Sequence, residues 1–349
     1  MKITKSLSDK ATELSALSML LIVMMHSYIP TTKEGIMDVV NIVNYDIVTR
    51  VAVPLFFLIS GFFMGKSLEK YEYRELILKK VRTLLFPYLI WLLLTFLFYG
   101  VATKIPVLTP FFNGHKVAEY SFAEYLNYIF IYPINTPLWF IRDLFVICLF
   151  AKLLNRLILS PISLFYFIIV FSLWIFGIGW KTFTFEPLLF FSIGLLYYNH
   201  YDKISLLISI KSHKKRISFI TTTMLLVTLS TVVLAFFYGN ELLNICRKIC
   251  ILFMLYLFYI LFKYNYVNER ICFYLQKFKH YSFFVYCAHI VPLQIIKKLL
   301  LYIGPPNDYW YLLSFLMTFL LTIYSLIILQ KFLIKISPRT FYLITGNRC

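Results

Sequence analysis

Stretches of about twenty mostly apolar residues recur along this sequence, from Leu14 to Leu333. A membrane-spanning helix needs roughly 17–25 such residues, whereas a surface helix of a soluble protein alternates an apolar and a polar face. Of the 349 residues, 60% are hydrophobic and only 14% are charged, which is too apolar for a globular domain. The sequence therefore predicts an all-α fold, a polytopic membrane helical bundle.

About ten transmembrane helices are predicted by the criterion of roughly 20 residues. The boundary between the fifth and sixth is weak, because Gly177, Gly179, Lys181 and Glu186 interrupt one apolar region. No appended soluble domain is visible, so residues 1–349 are predicted to form a single integral-membrane domain. The predicted spans cover residues 14–30, 47–66, 83–103, 137–155, 161–179, 184–200, 217–238, 243–263, 281–301 and 309–333.

The basic residues predict the orientation of the chain. The formal net charge is +18, but the cations lie in short loops between apolar runs and not on a soluble domain. This distribution argues against a nucleic-acid partner. If the N-terminus is cytoplasmic and the span count is even, most of the 34 Lys and Arg residues fall in inner segments. The positive-inside rule then places both termini in the cytoplasm.

His26 ends the first apolar run and is its one strong candidate for proton transfer. An ionisable group at membrane depth is a functional candidate by default, and an unperturbed imidazole titrates near pH 6.5. The alternative is a rim position where the ring meets water. Histidine also occurs at His289 in the ninth predicted span, where a hydrogen-bonded core role is the more ordinary interpretation.

Asp46 and Arg50 stand four residues apart just outside Pro54, at the outer membrane boundary, where they are predicted to pair on one helix face or, alternatively, to anchor the rim of the span. The run Pro54 to Gly61 that follows is echoed by Pro187 to Gly194. Shared membrane composition explains this echo as well as an internal duplication does. Ser60 and Gly61 would let another helix approach closely.

Further charges lie near or inside later spans. Lys79, Lys80 and Arg82 enter the third span, where they either anchor it on the inner side or bind an anionic, phosphate-bearing donor. Arg142 and Asp143 lie inside the fourth span, where charges must face a cavity or partners. The sequence allows a structural ion pair with Glu186 or Asp46, but favours a polar intramembrane site.

Several classes of active site are not indicated. The six cysteines have no accompanying histidine cluster or second cysteine pair with metal-ligand spacing, so we expect neither a zinc site nor a disulfide framework. The sequence has no GxSxG elbow, no glycine-rich phosphate loop and no HExxH motif. Hydrolase, NTPase and zincin classes are therefore excluded.

An ordered set of motifs resembles the acyltransferase-3 family of integral-membrane O-acyltransferases. After the histidine come VPLFFLISGFF, VRTLLFPYLIW, PLWFIRDLF, FFSIGLLYY and YSFFVYCAHIVPL, in the family's order. The resemblance implies a bacterial inner-membrane enzyme of about ten helices. It would take an acyl-coenzyme A, usually acetyl-CoA, as donor substrate and need no bound cofactor. A hydroxyl of a cell-surface polysaccharide or lipid-linked glycan precursor would be the acceptor, and His26 would be the general base or acyl relay.

One position departs from that family. An arginine usually stands eleven residues before the histidine, and here that position is Ser15. Arg142 is the predicted replacement for the missing charge, so His26 and Arg142 are the predicted catalytic residues. Asp46, Arg50, Asp143, Glu186 and His289 are the predicted substrate contacts, and Lys79, Lys80 and Arg82 the predicted acyl-CoA contacts.

The residues themselves support this chemistry. A hydroxyl acceptor needs a base for its proton, and the oxyanion needs a positive group, for which Arg142 and Arg50 are candidates. A transporter or flippase for a lipid-linked sugar or amino acid is the main alternative, because prolines interrupt several spans. A non-catalytic membrane assembly subunit would leave Arg142 and Asp143 without a chemical role.

Overall fold

A computed structural model describes residues 5–31, 35–106, 108–112, 114, 116–180, 183–201, scattered positions between 218 and 230, and 240–347. These residues are overwhelmingly helical, with two short strands, β1 (Gly179–Trp180) and β2 (Phe183–Thr184). The helices are α1 (Lys5–His26), α2 (Ile36–Ile42), α3 (Ala52–Lys70), α4 (Tyr73–Lys80), α5 (Phe86–Ala102), α6 (Thr109–Phe112), α7 (Phe122–Phe130), α8 (Trp139–Ile158), α9 (Ser163–Ile175), α10 (Phe185–Asn199), α11 (Asn240–Lys263), α12 (Glu269–Ala288), α13 (Ile290–Ile303), α14 (Asp308–Ile336) and α15 (Pro338–Thr345).

Four helices of the described chain are long and apolar enough to cross a membrane. A fifth crossing is formed if α12 and α13, which are bent by 75° at a short break, are taken together. The predicted count of about ten is therefore not confirmed. The span predicted over 217–238 lies largely outside the described residues, and each of the other predicted spans overlaps a helix. The four long helices are Ile36–Lys70, Tyr73–Ala102, Leu243–Lys263 and Asp308–Ile336.

Two of these long helices contain a π-helical segment shortly before a proline. A π-helical segment, Val43–Val48, precedes Pro54, and a second, Val81–Leu85, precedes Pro87. Proline has no N–H to donate to the carbonyl four residues earlier, and its ring crowds that carbonyl. A π turn is one way for a helix to accommodate an interrupted ladder, and such turns recur at functional sites. Here the first of them contains Asp46.

The weak boundary between the fifth and sixth predicted spans is a true break. Helix α9 ends beside Gly177, whose φ of +70° is a left-handed conformation that favours glycine. The two strands follow, and α10 begins at Phe185. The two apolar runs are therefore separate helices, as predicted.

The chain divides into two compact units. The first comprises Met1–Tyr73, Phe150–Trp180 and Thr184–Lys279, and the second comprises Arg74–Leu149, Lys181–Phe183 and His280–Cys349.

Helices α3 and α10 form the closest helix pair of the first unit, and the echoed segments meet there. A Cβ added at Gly61 would overlap the Phe191 carbonyl, and one added at Gly194 would overlap the Leu58 carbonyl. Gly61 and Gly194 hold equivalent places in the echo, as do Leu58 and Phe191. The crossing is therefore pseudo-twofold: each glycine packs on the backbone of the residue three positions before the equivalent glycine of the other helix. Such small-residue contacts bring membrane helices together.

The same two helices run parallel. At their C-terminal ends the Tyr198 hydroxyl donates to Glu69 at 2.5 Å, and the ring of Tyr198 lies over Gly65. Their middles meet at Gly61 and Phe191. The C-terminal ends of α3 and α10 therefore lie side by side, as in a parallel helix pair.

We expect Gly61→Ala and Gly194→Ala each to destabilise the protein by about 1–3 kcal/mol, because the added methyl must push two backbones apart. Thermal unfolding of purified protein in detergent measures this. Gly100→Ala is the matched control, since nothing lies within 4 Å of its added Cβ. Loss of a helical glycine there should stabilise by roughly 0.5–1 kcal/mol. An unchanged midpoint for Gly61→Ala would contradict the crossing.

In the second unit, side chains donate to backbone carbonyls of neighbouring helices. The Trp91 indole of α5 donates to the Ile344 carbonyl of α15 at 3.0 Å, and the Trp310 indole of α14 donates to the Leu300 carbonyl of α13 at 2.9 Å. The Gln330 amide donates to the His280 carbonyl at 2.8 Å. These bonds satisfy polar groups that an apolar bundle cannot leave exposed to lipid.

Candidate functional site

His26 is the last residue of α1, and two buried asparagines hold its surroundings. The Asn44 amide donates to the Met24 carbonyl at 3.2 Å, and the Asn41 amide donates to the Ile29 carbonyl at 2.7 Å. Both carbonyls flank the turn that carries His26, whose side chain is half-buried. The end of α1 is therefore fixed against α2 and against the π-helical segment Val43–Val48 that follows it. The backbone that carries the imidazole is constrained as a result.

Asp46 lies in that same π-helical segment and is 5% exposed. Its predicted pair with Arg50 is confirmed, at 3.9 Å. Its closer partner is Arg247 of α11, whose Nε and Nη2 reach the two carboxylate oxygens at 2.8 and 2.9 Å. Only the Nη2 contact has hydrogen-bond geometry, so Arg247 holds Asp46 by one charge-assisted hydrogen bond and one close ionic contact.

Arg50 is held more loosely than Arg247. Its guanidinium lies 5.0 Å from the centroid of the Tyr45 ring, and its side chain is 37% exposed. Among the described residues its Nε makes no hydrogen bond. Arg50 therefore retains donor capacity beyond its long contact to Asp46.

Glu186 lies in the first turn of α10, in the same unit. It accepts a hydrogen bond from the Trp174 indole at 3.1 Å. Lys248, next to Arg247 on α11, donates to the Ile175 carbonyl at 3.1 Å. Both basic residues lie inside α11, which begins at Asn240 and covers the predicted span of residues 243–263.

Arg142 and Asp143 belong to the second unit and pair with each other. Arg142 Nε and Nη2 lie 2.8 and 2.7 Å from the same oxygen of Asp143. Arg142 Nη1 donates to the Phe130 and Ile131 carbonyls at 3.0 and 2.6 Å, and the guanidinium lies 4.3 Å from the Phe183 ring centroid. Both charged side chains are buried, at 7% and 5% exposure.

The pair with Asp143 supports the structural alternative considered for Arg142, an ion pair, with the adjacent acid as its partner. The long arginine side chain folds back onto the adjacent acid, because burial requires a counter-charge and no closer one is present among its described contacts. Its Nη1 donates to two backbone carbonyls, which makes Arg142 a connection between α8 and the end of α7, while its buried Nη2 makes no hydrogen bond with a described residue.

His289 stands at a sharp bend and not in the middle of a straight span. Helix α12 ends at Ala288, α13 begins at Ile290, and the two are bent by 75°. Pro292 cannot donate to the Ala288 carbonyl, which accounts for a break here. His289 is fully buried, and its Nδ1 lies 2.7 Å from the Tyr286 carbonyl. Because a carbonyl only accepts, this bond puts the proton of the neutral ring on Nδ1 and leaves Nε2 unprotonated.

Asn135 and Tyr286 connect the bend to the start of α8. The Asn135 amide donates to the Cys287 carbonyl at 3.0 Å, and the Tyr286 hydroxyl donates to the Pro137 carbonyl. The sequence analysis missed both residues. Asn135 supplies a donor to a carbonyl that a continuous helix would pair with Val291.

The predicted acyl-CoA contacts lie where α4 joins its π-helical continuation, in the second unit. Lys79 and Arg82 are exposed and Lys80 is half-buried. Exposed cations at the end of a span suit either a lipid-facing anchor or an anionic ligand. Their role in binding a donor stays a prediction.

The predicted residues thus fall into two sets, one in each unit. His26, Asp46, Arg50 and Glu186 lie in the first unit. The second unit holds Lys79, Lys80, Arg82, Arg142, Asp143 and His289. The joint role predicted for His26 and Arg142 therefore stays a prediction. Ser15, at the position of the missing arginine, donates to the Ala11 carbonyl of its own helix at 2.9 Å.

Comparison with known proteins gives one result. A family model described as an acyltransferase domain matches residues 14–329, nearly the whole chain. No curated protein and no solved structure matches the chain. The match begins at the first residue of the predicted first span and includes His26 and Arg142.

Proposed function

Because the chain belongs to the acyltransferase-3 family and is a multi-pass membrane protein, we propose that it moves an acetyl group from acetyl-CoA to a glycan hydroxyl. The acceptor class is a cell-surface polysaccharide or its lipid-linked precursor. The site of action is a bacterial inner membrane, with both chain termini in the cytoplasm. No cofactor beyond the donor is needed for this reaction.

The observation that carries this proposal is the position of His26 at a constrained helix end within the matched region. In the proposed step, the imidazole takes the proton of the acceptor hydroxyl as its oxygen attacks the thioester carbonyl. The tetrahedral oxyanion then collapses, the carbon–sulfur bond breaks, and the leaving thiolate receives the proton from the imidazolium. The products are an O-acetyl ester and free coenzyme A.

The other predicted residues have supporting roles in this proposal. A guanidinium stabilises the oxyanion, and Arg50 and Arg142 are both candidates, since Arg50 Nε and Arg142 Nη2 are buried and make no hydrogen bond with a described residue. Lys79, Lys80 and Arg82 neutralise the phosphates of coenzyme A. Asp46, Asp143, Glu186 and His289 orient the acceptor, directly or through the arginines.

We expect purified protein to release free coenzyme A from acetyl-CoA only when an acceptor glycan is present. Thiol titration measures the release, and mass spectrometry of the glycan measures the added acetyl group. A sample without acceptor is the control for hydrolysis. Binding of acetyl-CoA without acceptor-dependent release would contradict the proposal.

The 75° bend between α12 and α13 is the observation that favours transport as a second function, because broken helices line substrate sites in transporters. Proteoliposomes separate the two functions. A transporter would move a labelled lipid-linked sugar across the bilayer without any acetyl-CoA, whereas a transferase would change its mass and require the donor.

A further inference from the structure

A cavity of about 250 Å³ lies in the first unit, between α1, α3, α10 and α11. We call it the Lys263 cavity. Its walls are aliphatic and aromatic, with Leu14, Leu58 and Phe62 among them. Two lysines, Lys10 and Lys263, also line it. The lining is therefore amphipathic, with both cations near helix ends.

The ammonium group of Lys263 is held without an acidic partner among the described residues. It lies 5.2 Å from the centroid of the Tyr259 ring and 5.4 Å from that of Tyr264. Lys263 Nζ and the Tyr259 hydroxyl are both buried and lie close enough to interact with each other, but neither makes a hydrogen bond of good geometry with a described residue. Buried polar groups of native proteins are normally paired, so these two indicate a ligand.

Lys10 adds a second cation that is already oriented. Its Nζ donates to the Lys263 carbonyl at 3.0 Å, which uses one of three donors. An adjoining cavity of about 530 Å³ shares Lys10 but is lined by Asp9, Glu13 and Glu269. Those carboxylates disfavour an anion there, so the anion-attracting side is the one that Lys263 and Tyr259 line.

We propose that the Lys263 cavity binds an anionic phospholipid from the surrounding bilayer. The headgroup phosphate contacts Lys263, Lys10 and the Tyr259 hydroxyl, and an acyl chain lies against Leu14, Leu58 and Phe62. Basic pockets between membrane helices on the cytoplasmic side are typical of such headgroup sites. The predicted orientation puts Lys10 and Lys263 on that side.

This lipid site is separate from the proposed acyl-transfer chemistry. Lys10 and His26 stand near opposite ends of α1, about 24 Å apart along its axis from the helical rise per residue. The bound lipid would pack α1 and α11 against α3 and α10. It would therefore stabilise the helices that carry His26 and Arg247 without contacting the reacting groups.

The test is native mass spectrometry of the purified full-length protein with an equimolar mixture of phosphatidylglycerol and phosphatidylcholine of the same chain length. We expect retained lipid to be mostly phosphatidylglycerol. Lys263→Gln should lower phosphatidylglycerol occupancy about fivefold, the effect of one cation at an anionic surface. Lys335→Gln is the matched control, because Lys335 is exposed at the end of α14.

Further arms identify the source of the phosphate. Displacement of the lipid by sn-glycerol 3-phosphate would assign the cavity to a free phosphate compound, and displacement by acetyl-CoA would assign it to the donor. Either result, equal retention of both lipids, or full occupancy in Lys263→Gln would overturn the proposal. If Lys263→Gln does not fold, Lys263→Arg keeps the charge and should keep the preference for phosphatidylglycerol. Loss of that preference in folded Lys263→Arg would also overturn the proposal.

Discussion

Arg142→Met is expected to destabilise the protein by about 3–5 kcal/mol, the usual effect of removing one member of a buried ion pair. The change leaves the Asp143 carboxylate without its cation. It also removes the donor that the Phe130 and Ile131 carbonyls share. Thermal unfolding of the purified protein measures the loss, and Arg156→Met is the control, because Arg156 is exposed in the last turn of the same helix.

A second change separates a structural role of Arg142 from a catalytic one. Arg142→Met combined with Asp143→Asn removes both charges, so part of the stability should return. If coenzyme A release returns with it, Arg142 acts by holding α8 and is not a catalytic residue. A stable Arg142→Met protein that has lost transfer would instead support the catalytic role that the sequence predicted.

His26→Ala is expected to lower the rate of acyl transfer by about 10²–10⁴-fold, the usual effect of losing a general base. Protein abundance and thermal stability should stay near those of the unmodified protein. The reason is that Asn41 and Asn44 hold this helix end through backbone carbonyls and not through the imidazole. Acceptor-dependent release of coenzyme A is the measurement.

His280→Ala is the matched control for that variant. His280 is exposed, and it accepts a hydrogen bond from the Gln330 amide through its backbone carbonyl, which the substitution keeps. Its transfer rate should be unchanged. Retention of more than roughly a tenth of the activity in His26→Ala would count against a base role. A comparable loss of transfer activity in both variants would mean that the loss comes from impaired folding, and it would contradict a specific role for His26.

The helices were predictable from the sequence because an apolar run of about 20 residues leaves little choice in a membrane. The break at Gly177 and the pair of Asp46 with Arg50 were predictable for a similar reason, since both depend on near neighbours. Arg247 was missed because its partner is about two hundred positions away in the chain. No local spacing reports such a contact.

The bend at His289 had a local signal, because Pro292 is one of the prolines that interrupt the predicted spans. Pro292 marks a lost hydrogen bond, but the sequence does not show whether a helix tolerates the loss or turns by 75°. That outcome depends on donors from elsewhere, such as the Asn135 amide on the Cys287 carbonyl. The contact between Gly61 and Gly194 had a signal as well, in the echoed segments, but an echo alone does not show that its two copies touch.

The parallel packing of α3 and α10 constrains the number of spans between them if the 15-residue α10 crosses the membrane as the longer α3 can. Two helices that cross a membrane in the same direction are separated by an odd number of crossings. Between Lys70 and Phe185 the long helices are Tyr73–Ala102, α8 and α9, of which the first is long and apolar enough to cross by itself. If it does cross, α8 and α9 cross together or not at all. Under those two conditions, the 13-residue α9 and the charged α8 would have to be added to the span count, or left out of it, together.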